Sequence, residues 1–62
     1  MEILHISKDD GTETFHSTPQ ELAGIFKRLA RYFGTDEAGV EQMFHEVPVV
    51  ETDFSLYRMI GE

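Results

Sequence analysis

Carboxylates are the side chains of this sequence whose number and spacing could do chemistry. The 62 residues contain twelve Asp and Glu against five Lys and Arg, a formal net charge of −7. This charge is uneven, with −3 in residues 1–18, +2 in 19–34, −6 in 35–53 and 0 in 54–62. The segment 35–53 contains no Lys or Arg, and its acids are Asp36, Glu37, Glu41, Glu46, Glu51 and Asp53.

A concentrated negative charge repels phosphates, so direct nucleic-acid binding and anionic membranes are disfavoured and basic protein surfaces are favoured. We therefore expect a small acidic protein-binding module. The more specific hypothesis is that it is a stoichiometric inhibitor or antagonist of a nucleic-acid-binding host protein, of the kind that phages and mobile elements encode. The six acids of 35–53 would act there as a nucleic-acid mimic in a groove built for phosphates. The alternative is a solvated surface that keeps a small protein soluble.

Two histidines, His5 and His16, are the second candidate set, because the hairpin register described below makes them cross-strand neighbours. A zinc site would need a third and a fourth ligand, and Glu2, Glu13 and His45 are available by residue type only. We therefore predict no metal site and no cofactor. Two adjacent imidazoles resist double protonation, which predicts a hairpin that loosens on acidification.

The features of a catalytic site are missing from the sequence. There is no cysteine, no Gly-rich phosphate loop, and no triad-like relation between Ser and His that the sequence exposes. A chain of this length also has little room for a deep pocket. We predict that the protein is not an enzyme.

The element that must position these side chains is a helix from Thr18 to Gly34. Thr18 and Glu21 form a capping-box pattern with Pro19 at the first helical position, and Gly34 is placed to end the helix. One apolar stripe follows the helical period and consists of Leu22, Ile25, Phe26, Leu29 and Phe33. Gly24 lowers the stability of this helix, because Gly has a low helix propensity, unless the position serves the close approach of another backbone.

Two runs of strand-forming residues, 2–7 and 12–17, precede this helix with Asp-Gly between them, which predicts a β-hairpin. A two-residue turn at Asp10 and Gly11 would pair Ile6 with Phe15 and His5 with His16. Leu4, Ile6 and Phe15 would then share one face, which we expect to be the core face. A three-residue turn would shift the register by one.

A second helix is predicted to start at Thr35–Glu37 and to end near Glu46, before Pro48. Residues 49–53 then form an extended connection, and residues 54–60 form a last strand, most simply beside the first. The fold class is therefore α+β, β-β-α-α-β, a small antiparallel-type sheet with two helices packed on one face. Residues 1–62 make a single domain.

The stretch from Leu29 to Phe44 is similar to a helix-turn-helix, with Ala30 and Gly34 at its structural positions. The would-be recognition helix, however, carries Glu37 and Glu41 and no basic residue, whereas DNA affinity depends largely on Lys and Arg. A divergent DNA-binding regulator is therefore one alternative function.

A small accessory or dimerising domain is another alternative. Ser55, Tyr57 and Met59 alternate along the last strand and predict either a contact patch or completion of the core. One form of this accessory or dimerising domain is a homodimer through the last strand, with Tyr57 as a partner-binding residue. The chain has no apolar run long enough to cross a membrane and no charged-then-apolar leader, so we expect a soluble cytoplasmic protein.

Overall fold

A computed structural model describes residues 1–60 and shows the element order β-β-α-α-β-β. The elements are β1 (Glu2–Ser7), β2 (Glu13–His16), α1 (Pro19–Phe33), α2 (Glu37–Glu46), β3 (Val49–Glu51) and β4 (Ser55–Ile60). The strands form one antiparallel sheet in the order β2-β1-β4-β3. The predicted α+β class is confirmed, and the last strand lies beside β1. The short edge strand β3 is an addition, since the sequence predicts only a connection there.

Both ends of α1 form as the sequence predicts. The Thr18 hydroxyl accepts from the Glu21 backbone N–H at 3.2 Å, and the Glu21 carboxylate accepts from the Thr18 N–H at 3.3 Å. Each of these bonds satisfies a backbone donor that the first helical turn leaves free. Gly34 ends α1 in the left-handed region with φ of 73°.

Helix α2 begins after a turn of only three residues. Asp36 is its cap, and the Asp36 carboxylate accepts from the Gly39 N–H at 2.8 Å. The helix ends at Glu46, two residues before Pro48, because Pro48 cannot continue a helix and restricts the residue before it. The short turn keeps α2 against α1, so both helices lie on the same side of the sheet.

The predicted register of the first hairpin is wrong by two residues. Leu4 pairs with Phe15 and His5 with Thr14, so four residues, 8–11, lie in the loop. A two-residue type I′ turn needs positive φ at both of its positions, and Gly11 is the loop residue that has it. The Asp10 carboxylate instead accepts from the Thr12 N–H at 3.0 Å, which closes the longer loop.

The two faces of the sheet differ in what covers them. The covered face lies against the helices and carries Ile3, Val50 and Tyr57, all almost fully buried. The open face is the other one. It carries Leu4, Ile6 and Phe15 from the first hairpin, with Phe15 61% exposed. These three residues share a face, as predicted, but the expectation that it faces the core is wrong.

Arg58 supplies the physical reason for this orientation. Arg58 is the cross-strand partner of Leu4, so it lies on the same face as Leu4. If the helices packed on that face, they would bury the Arg58 guanidinium, which has no ionic partner among residues 1–60. Burial of an unpaired charge is strongly unfavourable. The face that carries Tyr57 and Met59 has no such charge, and it receives the helices.

The hydrophobic core lies between the covered face and the two helices. Its fully buried members are Ile3, Ile25, Leu29, Ala30, Val40, Phe44, Val50 and Tyr57. Phe26 and Phe44 bring α1 and α2 together, with ring centroids 5.9 Å apart. This core holds α2 in place, and α2 together with its cap residue carries four of the six acids singled out above.

The two helical glycines provide a matched pair of substitutions. A Cβ at Gly24 meets no atom within 4 Å, so Gly24 marks no close backbone approach. Gly24→Ala should therefore stabilise the protein by up to about 1 kcal/mol through helix propensity. A Cβ at Gly39 would overlap the Thr35 hydroxyl, so we expect Gly39→Ala to bring no such gain. Urea unfolding of both variants measures the difference, and equal gains would contradict this account.

Candidate protein-binding surfaces

Four of the six acids predicted to bind a partner lie on α2 or at its start. Asp36 is engaged as the helix cap. Glu37 and Glu41 are four residues apart and so lie on one flank of the helix, whereas Glu46 lies on the opposite flank by the 3.6-residue period. All four are exposed. Helix α2 therefore presents carboxylates along two sides, with Ala38, Gln42 and His45 on the exposed surface between them.

The other two acids lie elsewhere, so the six do not form one continuous ridge. Glu51 is the cross-strand partner of Leu56 and lies on the open face, where its carboxylate pairs with the Lys8 ammonium. Asp53 lies in the turn between β3 and β4, and its backbone N–H donates to the Tyr32 hydroxyl at 3.2 Å. The sequence brings these acids close along the chain, but the fold separates them into two layers.

The acids of α2 are not neutralised by the cations of the same molecule. Within residues 1–60, no Lys or Arg lies within 4.0 Å of the carboxylates of Asp36, Glu37, Glu41 or Glu46. The nearest ionic contact on the helix is between Glu41 and His45, at 3.9 Å. The negative field of α2 is therefore available to a partner.

Cations gather on α1 instead. Lys27, Arg28 and Arg31 are exposed there, and Arg28 and Arg31 line an open cavity of about 490 Å³ together with Tyr32 and Phe54. Phe54 is 72% exposed at this cavity. The molecule thus carries a basic surface on α1 and an acidic surface on α2.

Tyr57 is buried beneath the helices, where it lines the inner wall of the cavity described above. It is 2% exposed, and its ring stacks on His5 with centroids 4.6 Å apart and planes inclined by 8°. Met59, on the same face, packs against the core. The predicted contact patch on this side of the last strand is therefore wrong, and the alternative, completion of the core, is confirmed. The physical reason is that the helices cover this face.

His5 and His16 are diagonal neighbours and not a direct pair, because the register shift moves Thr14 opposite His5. Their ring centroids lie 6.1 Å apart. His5 Nε2 is hydrogen-bonded to Ser55 Oγ at 2.7 Å, and His16 Nδ1 to the Glu21 carboxylate at 3.2 Å. No group of three or more potential metal ligands occurs within residues 1–60.

Burial lowers the pKa of His5 below 6.5, and the nearby His16 and Arg28 lower it further. The folded protein therefore favours neutral His5, whereas the unfolded chain takes up the proton near pH 6.5. The contribution of His5 to stability is complete above this pH and is lost as the pH falls below it. Hydrogen bonds from Thr12 lower the pKa of Asp10, and hydrogen bonds from Thr18 lower the pKa of Glu21. These two carboxylates affect stability only in more acidic solution.

The open face is the candidate surface that the sequence interpretation missed. It carries six apolar side chains on four strands, namely Leu4, Ile6, Phe15, Val49, Leu56 and Ile60. Phe15 and Val49 are 61% and 40% exposed, and the other four are half-buried. The signal that could have located it is Arg58, which interrupts the apolar alternation of the last strand and identifies the solvent side.

The titration of His5 predicts that thermal stability falls between about pH 7 and about pH 5. His5→Gln should reduce this fall, because the amide keeps hydrogen-bonding capacity for Ser55 but does not titrate. His45→Gln is the matched control, since His45 is exposed on α2, and this variant should keep the full pH dependence. Melting temperatures of the wild type and the two variants at both pH values show whether His5 causes the fall in stability. An undiminished fall in His5→Gln would contradict the assignment.

Comparison with known proteins identifies no relative, because no family model, curated protein or solved structure matches this chain. No helix within residues 1–60 is long and apolar enough to cross a membrane. The function of the protein is therefore argued from the geometry and charge of its own surfaces.

Proposed function

We propose that this protein is a small acidic module that binds another protein through helix α2. Its partner presents a basic surface of the kind that nucleic-acid-binding proteins use to hold phosphates. The protein acts as a stoichiometric antagonist, as phage and mobile-element inhibitors do, because α2 occupies the groove that the nucleic acid would otherwise fill.

The observation that carries this proposal is the absence of a Lys or Arg counter-ion beside the α2 acids among residues 1–60. The chain has cations that could have paired with these carboxylates, but Lys27, Arg28 and Arg31 lie on α1 without doing so. A surface that serves only solubility does not require this separation. An unneutralised helix, by contrast, attracts a basic partner over about a Debye length of 8 Å and speeds association.

The shape of α2 suits a groove lined with cations on both walls. Ten residues make a helix about 15 Å long. Glu37 and Glu41 project from one flank and Glu46 from the other, so carboxylates can meet Arg or Lys on each wall. The exposed strip between the flanks is small or polar, with Ala38 and Gln42, and permits close approach. Charge-assisted hydrogen bonds to Arg are stronger than neutral ones and give such a contact its specificity.

Direct DNA binding through the helix pair is the weaker alternative. The pair α1 and α2 has the order and short turn of a helix-turn-helix. Helix α2 would have to enter the groove as recognition helix, and it carries three glutamates and no Lys or Arg. Phosphates on both sides of the groove would repel it, and the three cations of α1 do not lie on the recognition helix.

Charge reversal on α2 tests the proposed function. Tagged protein is used to capture partners from a lysate of the organism that encodes it, with and without nuclease. We expect the wild type to retain a basic nucleic-acid-binding protein in stoichiometric amount after nuclease treatment. Glu37→Lys, Glu41→Lys and Glu46→Lys together should abolish its retention at moderate salt, while circular dichroism shows unchanged helix content.

The matched control reverses the same number of charges away from α2, with Glu2→Lys, Asp9→Lys and Glu13→Lys. These residues are exposed in the first hairpin, so the control changes net charge equally and should keep most of the binding. Partner retention by the α2 variant, or equal loss in both variants, would refute the assignment of binding to α2.

A further inference from the structure

The open face is laid out in regular rows that the strand pairing defines. One row reads Phe15, Leu4, Arg58 and Val49 across the four strands, and the next reads Glu13, Ile6, Leu56 and Glu51. Ile60 extends the apolar centre beside Glu2. The centre of the face is thus apolar around one guanidinium, and its acids lie towards the edges.

Nothing within residues 1–60 covers this face, because both helices pack on the other side. An antiparallel sheet can leave one face in water, but such a face normally alternates to polar residues. Contiguous apolar side chains rimmed by charged ones are the mark of an interaction surface. A chain of this size also buries only about 60% of its unfolded surface, less than a larger domain does, and gains stability from further burial.

We propose that a second copy of this chain packs on the open face, so that the protein forms a homodimer of two sheets face to face. This interface is distinct from the α2 surface of the proposed function and does not depend on it. It also differs from a dimer through the free edge of a strand, because the contact is between side chains of the two sheet faces.

The distribution of charge favours a second copy as the occupant. The open face and its adjoining Lys8 carry three acids, Glu2, Glu13 and Glu51, against two bases, Lys8 and Arg58, a net charge of −1. The remaining −6 of the total −7 therefore lies elsewhere on the molecule. Packed sheets lie about 10 Å apart, so both α2 helices remain on the outside with two sheets between them. Their mutual repulsion is then screened over more than the Debye length of about 8 Å.

The arrangement of side chains is also compatible with itself under two-fold symmetry. A two-fold axis lying between the sheets and perpendicular to the strands places Leu4 of one copy over Ile6 of the other. It also places Arg58 over Leu56 of the second copy, whose neighbour Glu51 lies one strand spacing, about 4.8 Å, to the side. At the two edges the same axis places Phe15 over Glu13 and Val49 over Glu51, where the carboxylates border on solvent. Arg58 has no ionic partner within residues 1–60. Across such an interface Arg58 of each copy can pair with Glu51 of the other, so the contact occurs twice.

The size of the face determines the strength of the dimer. Strands β1 and β4 have six residues each, whereas β2 has four and β3 has three. At a strand spacing of about 4.8 Å and a rise of about 3.4 Å per residue, the face covers roughly 300 Å² on each copy. The contact is therefore smaller than a standard specific interface of about 800 Å² per partner. We expect a weak, reversible dimer with a dissociation constant on the order of 100 µM.

Sedimentation equilibrium of the purified protein from about 10 µM to about 1 mM tests the proposal directly. The average mass should rise from 7.1 kDa towards twice that value. Phe15→Thr with Val49→Thr should raise the dissociation constant at least about tenfold, because both side chains lie in the contact. Both residues are exposed in the monomer, and Thr retains strand propensity, so the fold should persist.

Phe33→Ala is the matched control, since Phe33 is an exposed aromatic of α1 on the other side of the molecule. This variant should dimerise like the wild type, and so should the α2 charge-reversal variant. A mass that stays at 7.1 kDa throughout overturns the proposal. A dimer that survives Phe15→Thr/Val49→Thr but is lost in Phe33→Ala overturns it as well.

A measurement on the wild type alone covers the case in which the double variant does not fold. Methyl resonances of Leu4, Ile6, Leu56 and Ile60 should shift between dilute and concentrated samples. Concentration-dependent shifts confined to α1 and α2 would contradict the face-to-face arrangement. Because no other protein is present, failure here leaves the α2 proposal intact, and failure of partner capture leaves the dimer intact.

Discussion

One constraint governs this structure, namely that two short helices can cover only one face of a four-stranded sheet. The helix pair packs Ile25, Leu29, Val40 and Phe44 against Ile3, Val50 and Tyr57. Leu22, Phe26 and Met43 pack against the same core, so that most of the large apolar side chains of the helices are used there. The opposite face is left without cover from residues 1–60. Its character follows from the charged side chains that are costly to bury, Arg58 at its centre and Glu2, Glu13 and Glu51 towards its edges.

The same constraint separates the charges into distinct surfaces. Acids that are close in sequence, such as Glu46 and Glu51, end on different layers because the chain passes from α2 to the edge strand β3 between them. The cations of α1 do not pair with the acids of α2. A molecule with net charge −7 therefore has a strongly acidic helix, a small basic surface on α1 and an almost neutral sheet face.

These surfaces do not compete for the same residues. The acidic helix suits recognition by charge, which is long-ranged and sensitive to salt. The open face suits recognition by apolar burial, which is short-ranged and requires matching shape. If both proposals hold, a dimer presents two acidic helices on its outer sides, so that each copy can engage a partner without disturbing the sheet contact.

Local rules acting within a few residues were sufficient to predict both helices from the sequence. Thr18, Glu21 and Gly34 mark the ends of α1 and Pro48 marks the end of α2, because capping and chain-ending preferences depend on adjacent backbone groups alone. The start of α2 lies one residue later than the sequence predicts, since Asp36 and not Thr35 is its cap. The fold class and the exposed acids of α2 follow from the same patterns. The short strand β3 escapes prediction because three residues carry too little periodicity.

Only the tertiary structure decided which face of the sheet is buried and which residues share a surface. Leu4, Ile6 and Phe15 form a good apolar alternation, but Arg58, the cross-strand partner of Leu4, is more than fifty residues away from it along the chain. The burial of Tyr57 under the helices and the separation of Glu51 from α2 also depend on how whole elements pack and pair, and not on neighbouring residues. The sequence by itself determined the elements and the total charge, because these depend on local or summed properties. The surfaces depend on strand pairing across the whole chain, and the cost of burying charged side chains, above all the unpaired Arg58 guanidinium, selects between the two possible sides.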